Sequence, residues 1–312
     1  MRPLLSLFGS VAFLVCVPVS VNAQALVGES NSLSAQFGYT FAPSGKIISS
    51  STDDDSPFDN DVPNVPVFVH IVQLGAQYST PLPGLAVEAS IPLVGVQLGD
   101  GAFMHYPVRG AYDDGDLHWT LTDFRGGLRY QVKPIEEHLG LAFSAGGSIP
   151  VTDYPTQGFA YPDQHLKALH LGVAMARTFD PVLPNLYFDV GYEYSMRERV
   201  DISEETEEFN RDHSDVDFQL GYFLPANFSV AAAANLRLHH GGVDYADIIY
   251  YGVSVIENHD QLGNEDILLV GGDIGYDMSD DFAVALSARF FTWGKNTRNQ
   301  NLFGLSAQYR FF

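Results

Sequence analysis

The chain has 312 residues, a formal net charge of −22 and 13% aromatic residues, among them 22 Phe and 16 Tyr, with 29 Gly. That length admits two ordinary domains or one large β domain, and aromatic and glycine richness is what strands and tight turns use. So acidic a chain is not a nucleic-acid binder, because phosphates would be repelled; spread over exposed loops, the acids serve solubility.

Met1 to Ala23 reads as a secretory signal peptide. Arg2 gives the positive start, Leu4 to Val19 is mostly apolar, and Val21-Asn22-Ala23 places small residues before a cut ahead of Gln24. Cys16 leaves with the signal, so the mature chain, 24–312, has no cysteine for a disulfide, a metal or nucleophilic catalysis. A secreted domain without disulfides must be held by burial or by closed hydrogen bonding.

Beyond Ala23 the sequence predicts about twelve strands. They lie near Leu33–Phe41, Val67–Tyr78, Leu85–Val96, Asp123–Val132, Leu139–Ile149, Ala168–Phe179, Leu186–Arg197, Val216–Phe223, Phe228–His239, Ile267–Tyr276, Phe282–Trp293 and Phe303–Phe312. Period-two alternation is the signal. Leu186, Phe188, Val190, Tyr192 and Tyr194 alternate with Tyr187, Asp189, Gly191, Glu193 and Ser195. Phe282, Val284, Leu286, Ala288 and Phe290 do the same against small or charged neighbours, and the chain stops on an aromatic strand at Phe311-Phe312. No segment after the signal keeps a clean helical period.

A soluble sandwich also alternates, so the connections decide the architecture. Short turns such as Leu224-Pro225-Ala226-Asn227 and Asp277-Met278-Ser279-Asp280 alternate with long polar loops such as Ala42–Pro66, Gln97–Asp116, Pro150–His165, Glu198–Asp215 and His240–Asp266. Sorting short turns to one end and long loops to the other predicts an all-β, transmembrane up-and-down antiparallel barrel with periplasmic turns and extracellular loops. Aromatics near both ends of the strands, including Tyr78, Tyr130, Tyr222 and Tyr276 below and Tyr39, Tyr194, Phe290 and Trp293 above, fit two interfacial belts. Pro92 cannot donate to a ladder, which predicts a bulge there. A second is expected near Thr122-Asp123, where the apolar phase of Trp119 and Leu121 slips to that of Phe124 and Leu128.

The same phases put Arg125, Arg129, Arg237, Arg289 and Arg310, with Glu88, Asp189, Glu193, Asp217 and Asp273, on the inward face as lumen-lining candidates. If acids and arginines face each other across water, they make a transverse field at a constriction. If they pair along the wall, Asp273 with Arg237 and Arg289, and Glu88 with Arg125 or Arg129, they fill the lumen instead.

Metal suspects are weak. His239-His240 are adjacent and diverge in a strand, His165 and His170 straddle a loop–strand junction, and Asp53-Asp54-Asp55 with Asp59 and Asp61 lacks calcium-loop spacing. Neither a metal nor another cofactor is expected. Ser195 and His213 flank one long loop and are the candidate for a Ser–His pair, without any surrounding catalytic motif, so the expectation is not an enzyme.

Leu121-Thr122-Asp123-Phe124-Arg125-Gly126-Gly127-Leu128-Arg129-Tyr130 and Phe143-Ser144-Ala145-Gly146-Gly147-Ser148-Ile149-Pro150-Val151-Thr152-Asp153-Tyr154, followed by His170-Leu171-Gly172 and preceded by Ala89-Ser90-Ile91-Pro92-Leu93, resemble the MetA-pathway phenol-degradation family of outer-membrane proteins. The clear part covers about a third of the chain. The resemblance implies a barrel transporter for small, often hydrophobic or aromatic, compounds, with no catalytic residues to carry over. The expected partners are outer-membrane lipid and lipopolysaccharide, the barrel-assembly machinery through the C-terminal strand, and small solutes. The alternative is a structural or surface-interaction barrel with a plugged lumen.

Overall fold

The computed structural model describes residues 30–48, 66–99, 110–132, 139–156, 160–179, 181–200, 210–242 and 263–312. The signal segment with Cys16, and the Asp53–Asp61 cluster, lie outside the described residues. The strands are β1 (Ser32–Ile48), β2 (Val67–Ser79), β3 (Leu85–Leu98), β4 (His118–Leu121), β5 (Asp123–Val132), β6 (Leu139–Pro150), β7 (Ala168–Thr178), β8 (Leu186–Arg197), β9 (His213–Phe223), β10 (Phe228–His239), β11 (Asp266–Asp277), β12 (Phe282–Lys295), β13 (Thr297–Gln300) and β14 (Leu302–Arg310).

Apart from the short β4 and β13, consecutive strands pair antiparallel, and β1 pairs with both β2 and β14, so the sheet closes on itself. β4 and β5 form one stave, as do β13 and β14, which makes a barrel of twelve staves. The seam continues to the last residue: Phe311 N donates to Leu33 O at 2.8 Å and Leu33 N to Phe312 O at 3.1 Å. Closure leaves no edge with unpaired N–H and C=O groups, which hydrocarbon would not tolerate.

The alternation becomes two faces. Outward stand Leu74, Leu128, Phe143, Ile149, Leu169, Ile274, Leu286 and Phe290, about half exposed where lipid would cover them. Inward stand the small and polar partners. Tyr130, Tyr222, Tyr276 and Tyr309 are exposed towards the turn end, and Trp119, Phe290 and Trp293 towards the loop end, so aromatics flank the apolar band on both sides.

The turns are tight for local reasons. Between β9 and β10, Ala226 and Asn227 both take positive φ (61° and 65°), the handedness that matches strand twist in a hairpin, and Leu224 N donates to Phe228 O at 2.8 Å. Between β2 and β3, Gly84 has φ +80°, and a Cβ there would sit 2.4 Å from the Gln131 carbonyl of β5. Only glycine fits that approach.

Two expectations are corrected. The strands run past the predicted ends: β1 reaches Ile48 rather than Phe41, β9 begins at His213 rather than Val216, and the last hairpin extends to Lys295 and Thr297. Above the hydrocarbon the ladder continues while side chains no longer need to alternate, so hydropathy stops marking it. The two predicted bulges are one feature. β3 keeps an unbroken register with β2 through Gln73↔Pro92, whereas on its other side Leu93 faces Leu121 and Ser90 faces Arg125. Two residues of β3 therefore oppose three of the facing stave. The extra residue falls at Thr122-Asp123, both buried, opposite the proline that cannot donate; Thr122 N donates to Pro92 O at 3.2 Å.

Candidate solute pathway

The ladder places all ten predicted lumen candidates on the inward face, in phase with Gln36, Gln77, Ser144 and Gln219. Most of them meet a partner on the wall. Arg129 Nε lies 2.9 Å from Glu88 Oε1, and its Nη2 donates to Oε2 at 3.1 Å. Arg237 Nε donates to Asp215 Oδ1 at 2.7 Å. Arg289 Nη1 and Nη2 donate to the two oxygens of Asp273 at 2.9 and 2.8 Å, and its Nε to Asn235 Oδ1 at 2.9 Å. Arg125 reaches past β6 and β7 to Glu193 on β8. Asp217 accepts from Asn235, and Asp189 is buried nearby. Arg310 stands apart, at the short-turn rim, where Nε donates to the turn residue Asp281 at 3.0 Å.

These contacts correct the expected pairing. Arg237 takes Asp215 rather than Asp273, because the two face each other in register across β9 and β10. Arg125 takes Glu193, leaving Glu88 to Arg129. The contacts among these side chains run mostly between neighbouring staves, with Arg125–Glu193 the longest span. Glycine makes the diagonal pairs possible. Gly127 faces Glu88 and Gly271 faces Arg289, so each long side chain leans over a bare backbone to its diagonal neighbour.

The glycines also leave space. A polar cavity open to solvent lies against β1 to β3 and β5 to β9 and is lined by Gln36, Gln73, Gln77, Glu88, Arg125, Arg129, Glu193 and Asp217, with Gly75, Gly127, Gly146, Gly172 and Gly191 as its floor. A smaller one touches Asp189, Asp217, Gln219, Asn235 and Arg289.

Above the charged zone the inward wall turns apolar. Val67, Val69, Ile71, Val94, Val96, Leu98, Ile267, Leu269 and Leu302 form one buried cluster with Phe291 and Tyr112 against it. Ala160, from the loop between β6 and β7, is fully buried in that cluster, so the loop enters the mouth. It is held by polar contacts as well. Ala160 N donates to Asp113 Oδ1 at 2.8 Å, Tyr154 OH donates to Asp123 Oδ1 at 2.7 Å, and Arg197 donates to Gln164. Asp163 on this loop is 2% exposed, and burial, with Asp123 nearby, raises its carboxyl to about 7. The same burial raises the Tyr154 hydroxyl.

The histidines divide by face. His170 points inward, Nδ1 at 2.8 Å from Ser195 Oγ and Nε2 at 3.1 Å from Ser148 Oγ. Ser195 faces His213 in the ladder, yet its hydrogen bond goes to His170, and His213 Nε2 lies 3.3 Å from Asp215. Both are buried in the barrel interior, out of reach of lipid. His239 turns inward to the Glu265 carbonyl, while His240 lies on the outer side against Ser214. Among the described residues no group of three or more His, Cys, Asp or Glu could hold a metal. Sequence reasoning missed Asp215, Asn235 and Asp163. Asp215 was within reach: it shares the inward phase of Asp217 and was lost only because its strand was begun at Val216.

No family model and no curated protein sequence matches this chain. Solved structures do. An outer-membrane channel from Pseudomonas putida F1 superposes with a TM-score of 0.67 at 8% identity, over 92% of this chain and 98% of that one. The translocator domain of the autotransporter NalP from Neisseria meningitidis gives 0.48 at 11% identity over 91% and 90%, and the CymD monoaromatic hydrocarbon channel 0.41 at 13% over 91% and 89%. At such identities the first likeness shows the barrel fold alone, and the other two are too distant in shape to carry an argument.

Proposed function

We propose that this chain is a passive outer-membrane channel for small molecules, closed in this conformation by the loop between β6 and β7. The carrying observation is the polar cavity, floored by glycines, on the inner wall of the barrel. A lumen meant only as a structural core would fill those positions with side chains. A solute would enter past the apolar wall of Val67, Val94 and Leu269, then cross the paired charges to the periplasmic side. That order suits a small hydrophobic or aromatic compound carrying a polar group, as the resemblance to the phenol-degradation family implies. The pathway assigns no residue to bond making or breaking.

A second reading is favoured by Ala160 and by the paired arginines: a permanently plugged barrel whose outer loops do the work. Liposome swelling separates the two. Proteoliposomes placed in isosmotic arabinose or benzoate should swell at a protein-dependent rate, with benzoate entering faster than its size alone predicts. Swelling no faster than in protein-free liposomes favours the plugged barrel.

A further inference from the structure

On the outer surface, at the loop end of β8 to β10, five side chains form a chain of contacts that the solute pathway does not use. Ser214 Oγ lies 2.6 Å from His240 Nε2 and 3.0 Å from the Tyr192 hydroxyl. The Tyr194 ring stacks on the His240 ring at 5.5 Å, and its hydroxyl donates to Asp212 Oδ2 at 3.0 Å. Asp212 is fixed in turn, accepting from Arg197 N at 2.9 Å and from Asn210 Nδ2 at 3.2 Å.

The ladder shows that this cluster faces lipid. Ser214 pairs with Tyr194 and with Leu238, in phase with the lipid-facing Val216, Phe218 and Leu220 and opposite in phase to His213 and Asp215. Ser214 is the second residue of β9, at the loop-end edge of the apolar outer face. In a barrel that spans a bilayer, such an edge falls near the interfacial layer that flanks the hydrocarbon core, within reach of the ester bonds of outer-leaflet lipids.

A serine hydroxyl becomes a nucleophile when an imidazole takes its proton, and the imidazole needs an orienting group. Here Nε2 is at transfer distance and the Tyr194–Asp212 arm holds the ring. We infer that Ser214 and His240 form a lipid-facing hydrolytic dyad acting on carboxylic esters of outer-leaflet lipids, with Tyr194 and Asp212 as positioning residues. The inference stands apart from the solute pathway.

The step balances without a cofactor. Ser214 Oγ bonds to the ester carbonyl carbon and its proton passes to His240 Nε2. Ser214 is 5% exposed, so the substrate must displace the Tyr192 hydroxyl from Oγ, which frees that hydroxyl to donate to the developing oxyanion. The acyl C–O bond breaks, His240 returns the proton to the leaving alcohol, and an acyl-serine remains. Water then attacks, giving up its proton to His240, and the fatty acid leaves with Ser214 regenerated.

The test uses the full-length barrel folded into vesicles of phosphatidylethanolamine, or mixed with purified lipopolysaccharide, with fatty-acid release and fluorophosphonate labelling as readouts. The wild type should release fatty acid from one of the two lipids and take the label. Ser214→Ala and His240→Ala, shown to be folded by their heat-modifiable gel mobility, should each lose activity by about 10² to 10⁴. Tyr194→Phe should move the acidic limb of the pH–rate profile, and an unmoved profile removes that arm. A folded wild type that releases nothing from either lipid overturns the inference. So does release or labelling that survives Ser214→Ala.

Discussion

Arg289 and Asp273 form a two-pronged ion pair inside the barrel, at 2.9 and 2.8 Å, with Arg289 fully buried and Asp273 5% exposed. Burying two charges is costly, and breaking one side leaves the other uncompensated, at roughly 3–5 kcal/mol. Asp273→Ala should therefore lower the urea midpoint of the refolded barrel clearly. Asp273→Ala combined with Arg289→Ala should cost less than the sum of the single changes. Additive losses in a double-mutant cycle would mean the two side chains do not act as a pair.

The outer face gives a contrast between adjacent residues. Leu286 is 57% exposed on the lipid side, while Ser287 is 8% exposed and faces Asp273 across the ladder. Leu286→Arg should cost about 2–4 kcal/mol in a bilayer. Ser287→Arg meets an acid and polar surroundings, and should cost less. Urea unfolding in lipid vesicles measures both, and equal losses would contradict the assignment of faces.

Topology is checked from outside the cell. Leu183 and Ser279 lie in the short turns between β7 and β8 and between β11 and β12. An epitope inserted at either should be hidden from antibody on intact cells. One inserted at position 54 or 205, in the stretches between β1 and β2 and between β8 and β9, should be reached.

The loop in the mouth should respond to pH. Asp163 is raised to about 7 against an ordinary carboxyl near 3.8, first by burial and then by Asp123 on β5, with Arg197 on β8 and Arg237 on β10 opposing the rise and Tyr154 of the same loop nearby. A raised carboxyl means that the packed loop binds the proton more tightly than the released loop. Stability of the closed arrangement is then full below about 4 and falls as pH rises through 7. Conductance should be lower at pH 5 than at pH 8, and Asp163→Asn should flatten the dependence. A pH response unchanged in Asp163→Asn would place the switch elsewhere.

The barrel was legible in the sequence because lipid on one side and water on the other impose a strict period of two. That single constraint yields the staves, the sorting of connections, and the inward phase of Arg289, Asp273 and Glu193. It does not specify partners. Arg237 and Asp215 meet because of a register that hydropathy leaves open towards the loop ends of the strands, where His213 to Asp215 carry no hydropathic alternation. The Pro92 and Thr122-Asp123 irregularities were both visible, and only the pairing of β3 with its neighbour shows them as one bulge. The loop in the mouth had no signal: Ala160 and Asp163 sit in a polar stretch that reads as solvated, and their burial follows from the apolar wall that receives them.

Single-channel recording in planar bilayers tests the central claim, a solute path through the lumen. The refolded barrel should give discrete conductance steps at pH 8. Arg289→Ala with Arg310→Ala should move the reversal potential in a salt gradient towards cation preference, because Asp273 and Asp281 lose their counter-charges. A folded barrel that stays silent at both pH 5 and pH 8, and conducts only once the arginines are removed, would contradict the account and establish a plugged lumen.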